Sequence, residues 1–380
     1  MSRKKFIIYL LIVLTLVMIV DIRYVRSNNH LFAGFITESI ENMITMEGNI
    51  FQSNYDSDSI KAEKEDSLEL DQEFLEENQE IDTFYLKNDF GSINLQGSEE
   101  EEIKVDYTLK VHAEDKDAAE EFIKDLEVIY NVENDQLNIT LNKSQTDTPD
   151  LINVVEIDYR ITIPANFKTE LINQYGEMSV YDLNSELKAD NRYGQTRVEN
   201  IKEAVELELA YGQSNIVDLE STLDLDSSYA ENKIKNIAGR FNLESAYGFN
   251  TIENLDSDLI INSRYGGAEI TSAENIQINS RYTGYKFRDI SGKIEGDIEY
   301  GDLNLANISD LELELRYADF TIESIRDYEL YNYDLSVKYG DIEMDFNEFS
   351  DSGAKQFVYQ GSNAEHDIVI NSEYGDINIK

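Results

Sequence analysis

The chain has no cysteine, only three histidines in 380 residues, and 32 lysines and arginines against 77 acidic residues. Without cysteine there is no disulfide framework, no thiolate metal site and no bacterial lipoprotein anchor. His30, His112 and His366 lie far apart in the sequence and read as surface residues, not as ligands. The shortage of basic residues leaves a net charge of −45, which argues against nucleic acid and against direct attraction to anionic lipid. A P-loop, a nucleophile motif and a histidine-based metal site are all missing.

Long apolar runs are nearly missing too. The one that exists, Phe6–Val20, follows Arg3, Lys4 and Lys5 and can be extended by Ile22 and Tyr24. A span needs ~20 residues, and no small-x-small cleavage site follows. Residues 1–26 therefore read as an uncleaved signal anchor, single-pass, with the N-terminus inside and the C-terminal part outside the cytoplasm. Over 27–80 the expectation is a short juxtamembrane helix and an acidic linker. The helix rests on the spacing of Phe32, Phe35, Ile36, Ile40, Met43 and Ile44. The stretch 52–80 is too acidic and polar to bury a core, and is expected to be a solvated spacer.

What the chain has in plenty is repetition. Tyr175, Tyr193, Tyr211, Tyr229, Tyr247 and Tyr265 are spaced by 18 residues, and the series continues at Tyr282, Tyr300, Tyr317, Tyr339 and Tyr374. Before each tyrosine, apolar and polar residues alternate, as in Val205-Glu-Leu207-Glu-Leu209. That is a strand with one buried face. The parity places the tyrosine on the buried face, two positions after an inward Asn173, Asn191, Ser227, Ser245, Ser263 or Ser280. These small polar residues are expected to bond one another and the backbone at the bend. A glycine usually follows the tyrosine, as a left-handed corner would require. A second strand then carries Val180, Val198, Ile216, Ile234 and their equivalents, and ends at Asp182-Leu183, Asn200-Ile201 or Asp218-Leu219, a second turn.

A fixed period of this length means a solenoid, in which each coil buries its apolar face against its neighbours. Coils stacked at ~4.8 Å give a rod on the order of 50 Å for about ten coils. A left-handed hexapeptide helix fails, because steps of six from Tyr193 reach Glu199, Val205 and Tyr211. Helical repeats fail for want of a 3.6 period. Residues 175–380 are assigned to this Tyr-Gly solenoid, and 81–174 to a β-rich cap. In the cap, Asn88-Asp-Phe90-Gly91 is a degenerate tyrosine corner, strands are expected at Ile103–Val111, Gln136–Asn142 and Val154–Ile163, and a helix at Ala113–Val128. That helix is expected to cover the open end.

With Ile161-Thr-Ile-Pro164 leading into coils such as Tyr300-Gly-Asp302, Tyr339-Gly-Asp-Ile342 and Tyr374-Gly-Asp-Ile377, the chain over 81–380 resembles the bacterial DUF4097 proteins. That family carries the label of putative adhesins and stands close to the DUF2807 head domains. The resemblance implies an all-β, right-handed, single-chain β-helix, and it adds an adhesin-like role for which it names no ligand.

Many β-helices are polysaccharide lyases or hydrolases that use clustered carboxylates in a groove walled by long loops. The coils lack insertions that could wall a groove. The one long excursion is Phe346–Asp367, with Glu348, Asp351, Lys355 and His366. No catalytic, cofactor or metal residues are assigned. Asp302, Asp319, Asp341 and Asp376 share one position after the tyrosine; a Ca²⁺ between coils would relieve their repulsion, but aspartate also suits a solvated turn, and the turn is favoured. The sequence thus points to a non-catalytic, membrane-anchored envelope module binding an unidentified protein or glycan, with a monomeric ectodomain and no nucleic acid. The alternatives are a scaffold assembling through an open last strand Asp376–Lys380, and a carbohydrate-active enzyme.

Overall fold

The computed structural model describes residues 60–142, 152–323, 325, 327–346 and 349–380. The expected anchor over 1–26, the juxtamembrane helix and His30 lie outside these residues. Among the described residues no helix is long and apolar enough to cross a membrane.

The repeat region is a stack of coils with two strands each. In one coil Val205–Ala210 leads to the corner Tyr211-Gly212, and Gln213–Leu219 leads away from it. Strands before the corner stack in parallel and in register on those of the next coil, Val205 on Leu223 and Leu209 on Ser227. Strands after the corner do the same, Ile216 on Ile234. Two parallel ladders result, called here pre-corner and post-corner, with Leu207, Leu209, Ile216 and Leu219 and their equivalents buried between them. The alternation of Val, Leu and Ile with Glu and Asp produces this directly, because each residue's face is set by its parity.

Both ends depart from the sequence expectation. At the N-terminal end β1 (Ile60–Leu70), β2 (Thr83–Phe90), β3 (Ile93–Ser98), β4 (Ile103–Ala113), β5 (Glu127–Glu133), β6 (Gln136–Asn142) and β7 (Ile152–Pro164) alternate with α1 (Gln72–Glu77) and α2 (Lys116–Phe122). The acidic stretch from Ile60 is thus no spacer. It pairs antiparallel with β4, burying Ala62 and Leu70 while its Lys and Glu stay in water. The helix expected over Ala113–Val128 is shorter. Asp115 caps α2 by accepting from Ala118, a single 3₁₀ turn follows at Ile123–Asp125, and Val128 then enters β5 as a buried strand residue. Strands β2 and β3 already form a coil. They stack in parallel on Lys168–Tyr175 and Met178–Leu183, while β6 and β7 stack on their other side.

The C-terminal end repeats this device. His366–Glu373 lies between Leu311–Arg316 and Tyr331–Val337, and Ile377–Ile379 lies between Phe320–Ile322 and Ile342–Phe346. The last coil in sequence is therefore an interior coil in space. The strand Asp376–Lys380, expected at an edge, has partners on both sides. The excursion expected after Phe346 supplies the edge instead, with Phe349–Ala354 and Gln356–Tyr359 pairing antiparallel on the outermost coil.

Candidate binding face

The tyrosines are where the sequence reading needs most correction. They are not in the core; Tyr175, Tyr229 and Tyr265 are partly buried and the others are exposed, up to 54% at Tyr339. Except at Tyr175 and Tyr339, the left-handed conformation belongs to the tyrosine and not to the residue after it: φ is +55° at Tyr193, +58° at Tyr211 and +65° at Tyr374. A left-handed residue ends the strand alternation, so parity counted through the corner points the ring the wrong way. The rings form one continuous stack running Phe90, Tyr175, Tyr193 and onward to Tyr317, then Tyr374 and Tyr339. Neighbouring centroids are 4.8 Å apart for Tyr193–Tyr211 and 4.5 Å for Tyr374–Tyr339. Ring faces are covered by neighbouring rings, and ring edges face solvent. The stacking of Phe90 on Tyr175 at 5.1 Å bears out the degenerate corner.

Gly194 and Gly212 serve a different need. A Cβ on Gly194 would lie 1.8 Å from the carbonyl oxygen of Gly176, and one on Gly212 would lie 1.9 Å from that of Gly194. Close approach of successive corners requires these glycines. Only Gly91 and Gly176, at φ +109° and +147°, match the left-handed expectation at this corner.

Beneath the corner the expected inward polar residues are all buried. Their bonds mostly run across the bend. Asn191 donates to Thr196 at 2.8 Å, Asn232 to Ser227 at 2.7 Å and Asn250 to Ser245 at 3.0 Å. Between coils Ser263 donates to Thr283 at 3.3 Å, and residues that the sequence reading passed over add to the link: Ser214 donates to Asn232, and Asn232 to Asn250. Their signal was an inward-parity Asn three positions after Tyr229 and Tyr247. The second turn is as expected, with φ +57° at Asp182 and +61° at Asn200, and Asn236 donating to Asp218 at 2.6 Å.

The aspartate series is contiguous in space, in the order Asp302, Asp319, Asp376, Asp341, because the last coil is interior. The Asp376 N–H donates to Asp319 Oδ1 at 3.0 Å and the Asp341 N–H to Asp376 Oδ1 at 2.8 Å. Lys355 closes the row on Asp341 at 2.6 Å. Charge-assisted bonds of this kind offset the repulsion of stacked carboxylates. Among the described residues no cluster of three or more candidate ligands is placed to hold a metal ion.

His112, expected at the surface, is buried, with Nε2 3.1 Å from Glu156. Lys110 bridges Glu156 at 2.9 Å and Asp158 at 2.5 Å, and Ser92 donates to Asp158 through both N and Oγ. The bonds from His112 and Lys110 pull the Glu156 carboxyl down to about 2 against the opposing effect of burial. Burial works against the Lys110 charge, but its bonds to Asp158 and Glu156 outweigh it and hold the ammonium well above the ordinary lysine value. His366 is half-buried, 3.5 Å from Asp310.

A groove of about 940 Å³ lies on the outer face of the pre-corner ladder, beside the tyrosine row. Its wall next to the tyrosines carries Arg264, Arg281, Glu299, Arg316, Glu373 and Lys338, and its floor carries Asn262, Asn279, Asp297, Glu314 and Asn371. Arg281 reaches Glu299 at 2.6 Å, Arg316 reaches Glu299 at 2.8 Å and Glu373 at 3.6 Å, and Lys338 reaches Glu373 at 2.9 Å. The sequence reading missed this face, because an outward residue just before a tyrosine looks like any solvated position until the coils are put in register.

Three solved structures are similar to the chain. A putative cell adhesion protein from Clostridium sporogenes is 13% identical, covering 84% of this chain and 99% of its own, at a TM-score of 0.19. A putative lipid binding protein from Parabacteroides distasonis is 11% identical, over 83% and 97%, at 0.31. A putative adhesin from Parabacteroides merdae is 14% identical, over 66% and 92%, at 0.30. At such scores the likeness carries no argument. Among curated proteins none matches the chain. The profile described as Toastrack DUF4097 matches residues 59–380, which takes in β1 as well as the repeats. The chain belongs to the DUF4097 Toastrack family.

Proposed function

We propose that the protein is a non-catalytic, adhesin-like binding module of the cell envelope, held at the membrane by its N-terminal segment and facing outward. The observation that carries this reading is the groove: a polar, elongated concavity on a solenoid whose interior is filled by its own side chains. Its carboxylates Glu299 and Glu373 are engaged by Arg281, Arg316 and Lys338, an arrangement suited to recognition more than to proton transfer. The excursion after Phe346, the best place for an enzyme's groove wall, is used as paired edge strand. A self-assembling scaffold is the weaker reading, since the last strand on which it depended is interior. The ectodomain is read as a monomer.

Two measurements test this. Protease added outside intact cells, or to opened periplasm, should digest the C-terminal part of the full chain, and the recovered fragment should still carry residues 1–26; a protein found soluble in the cytoplasm would refute the topology. The full chain should co-sediment with isolated envelope material, and a variant with Asp297→Ala, Glu314→Ala and Asn371→Ala should not. Equal sedimentation of the two would remove the groove from the function.

A further inference from the structure

We propose that Arg264 and Arg281, with the amides of Asn262 and Asn279, form an anion subsite in the groove that takes an isolated carboxylate of an acidic saccharide. The inference rests on the groove being the binding site and names the chemistry of its ligand.

The ladder register carries the argument. Several basic residues of the solenoid stand opposite a carboxylate of the next coil, and others, such as Arg192 and Arg197, pair with one two positions away on their own strand. Lys188 is paired with Glu206 at 2.8 Å, Lys235 with Glu253 at 3.4 Å and Lys286 with Glu269 at 2.7 Å, and each is that residue's register partner. Among the described residues Arg264 has neither kind of partner. Its register partners are Ala246 on one side and Arg281 on the other. Like charges directly opposed on a sheet are destabilising, and this chain has 32 basic residues to place among 77 acidic ones. Arg281 is relieved by Glu299, but among the described residues no carboxylate lies within ion-pair distance of the Arg264 guanidinium. The row Arg264, Arg281, Glu299, Arg316, Glu373, Lys338 therefore has surplus positive charge at its Arg264 end, on a molecule of charge −45.

A guanidinium presents a planar fork that matches a carboxylate in two parallel bonds. Two residues before each arginine, on the same face, Asn262 stands opposite Asn279, and both are exposed. Their amides offer donors and acceptors to flanking hydroxyls. A peptide is less suited. The backbone groups of these strands are committed to coils on both sides, so no edge is open for strand addition, and the exposed lining offers no apolar pocket for side chains. A polyanion is also disfavoured. Asp226 and Glu244 line the groove on one side of the arginine pair, and Asp297 and Glu299 on the other. Screening over about 8 Å at physiological salt lets the arginines act locally, but carboxylates on every sugar would meet these acids.

The test uses the full chain with 3′-sialyllactose and a hyaluronan hexasaccharide, each as free acid and as carboxyl methyl ester. The acids should bind. Esterification and Arg264→Gln should each weaken binding at least tenfold, about 1.4 kcal/mol, and the ester should bind the variant no worse than it binds the wild type. Arg197→Gln, at an arginine paired with Glu199 on the post-corner ladder, should change nothing. Arg264→Gln should not lower the urea midpoint, because it removes a like-charge contact. Acid and ester binding alike, both indifferent to Arg264→Gln, would overturn the subsite and leave the groove as a binding site. No binding of either acid, or equal binding of an acetylated Gly-Asp-Gly peptide, would overturn the saccharide carboxylate assignment. The groove itself is judged separately by the envelope sedimentation of the triple-alanine variant.

Discussion

Gly194→Ala isolates what the corner glycines do. At a permissive site this substitution stabilises a protein by about 0.4–1 kcal/mol, because it reduces the freedom of the unfolded chain. Here the added Cβ would sit 1.8 Å from the Gly176 oxygen, where ordinary contact begins at 3.4 Å. The coils must separate locally by roughly the difference, which carries hydrogen bonds of the corner past their useful length near ~3.2 Å. Loss of two such bonds at about 1 kcal/mol each, together with the stacking of Tyr175 on Tyr193 at about 0.5–1.5 kcal/mol, less the unfolded-chain gain, gives a net cost of about 2 kcal/mol. The chain has no tryptophan, so tyrosine near-UV circular dichroism in a urea titration reports the ladder directly. Gly194→Val should cost more than Ala230→Val, since Ala230 already seats a buried Cβ at the equivalent corner position. A Gly194→Ala midpoint at or above wild type would refute the close-approach argument.

Tyr229→Phe keeps both stacked neighbours, Tyr211 at 4.9 Å and Tyr247 at 4.8 Å, and should be nearly neutral in a urea titration. Tyr229→Ala loses both contacts and should cost about 1–3 kcal/mol; equal effects of the two would mean that the hydroxyl, not the ring, holds the corner. Glu156 has its pKa depressed from 4.5 to about 2, so its contribution is complete above the unfolded value and is lost as pH falls through the folded one. The stability gap between wild type and Glu156→Gln should therefore be constant above about pH 5 and close as the pH falls toward 2, as followed by urea midpoints; a gap that does not narrow refutes the pairing. Removing residues 366–380 should open the stack between the Tyr317 and Tyr339 coils and expose four strand edges, so light scattering should show association of the truncated chain and a monomer for the full ectodomain.

The strands, the period and the second turn were legible because they follow from local alternation and from turn residues, Val205 to Leu209 and Asp218-Leu219 being typical. The face of the tyrosine was not. Parity carries through a strand but not through a left-handed residue, and tyrosine is seldom found there, whereas the glycine beside it advertises the wrong reason for its presence. The acidic stretch from Ile60 to Leu70 was misread by composition. An edge strand need bury only one side, so Ala62 and Leu70 against β4 suffice while the charges stay in solvent. The groove was invisible for a different reason. Arg264 and Arg281 are 17 residues apart and gain meaning only when the register sets one on the other.

The placement of the last coil was beyond local reading too, and it bears on what the ends of the stack offer to another chain. A parallel stack that simply stops presents two open edges at each end, each a template for another chain. At both ends this chain places one coil inside the stack and spends other segments on the rim. Coil β2–β3 is covered by β6 and β7, and these by antiparallel β5 and β4. Coil His366–Ile379 is covered by Tyr331–Phe346, and that by antiparallel Gln356–Tyr359 and Phe349–Ala354. An antiparallel rim strand cannot continue a parallel, in-register ladder without a change of pairing, and β1 adds Lys61, Glu63, Lys64 and Glu65 along its length. Growth at either end must therefore begin with a mismatched edge, which at the N-terminal end is also charged. The groove with its arginine pair lies on one of the long faces between the ends.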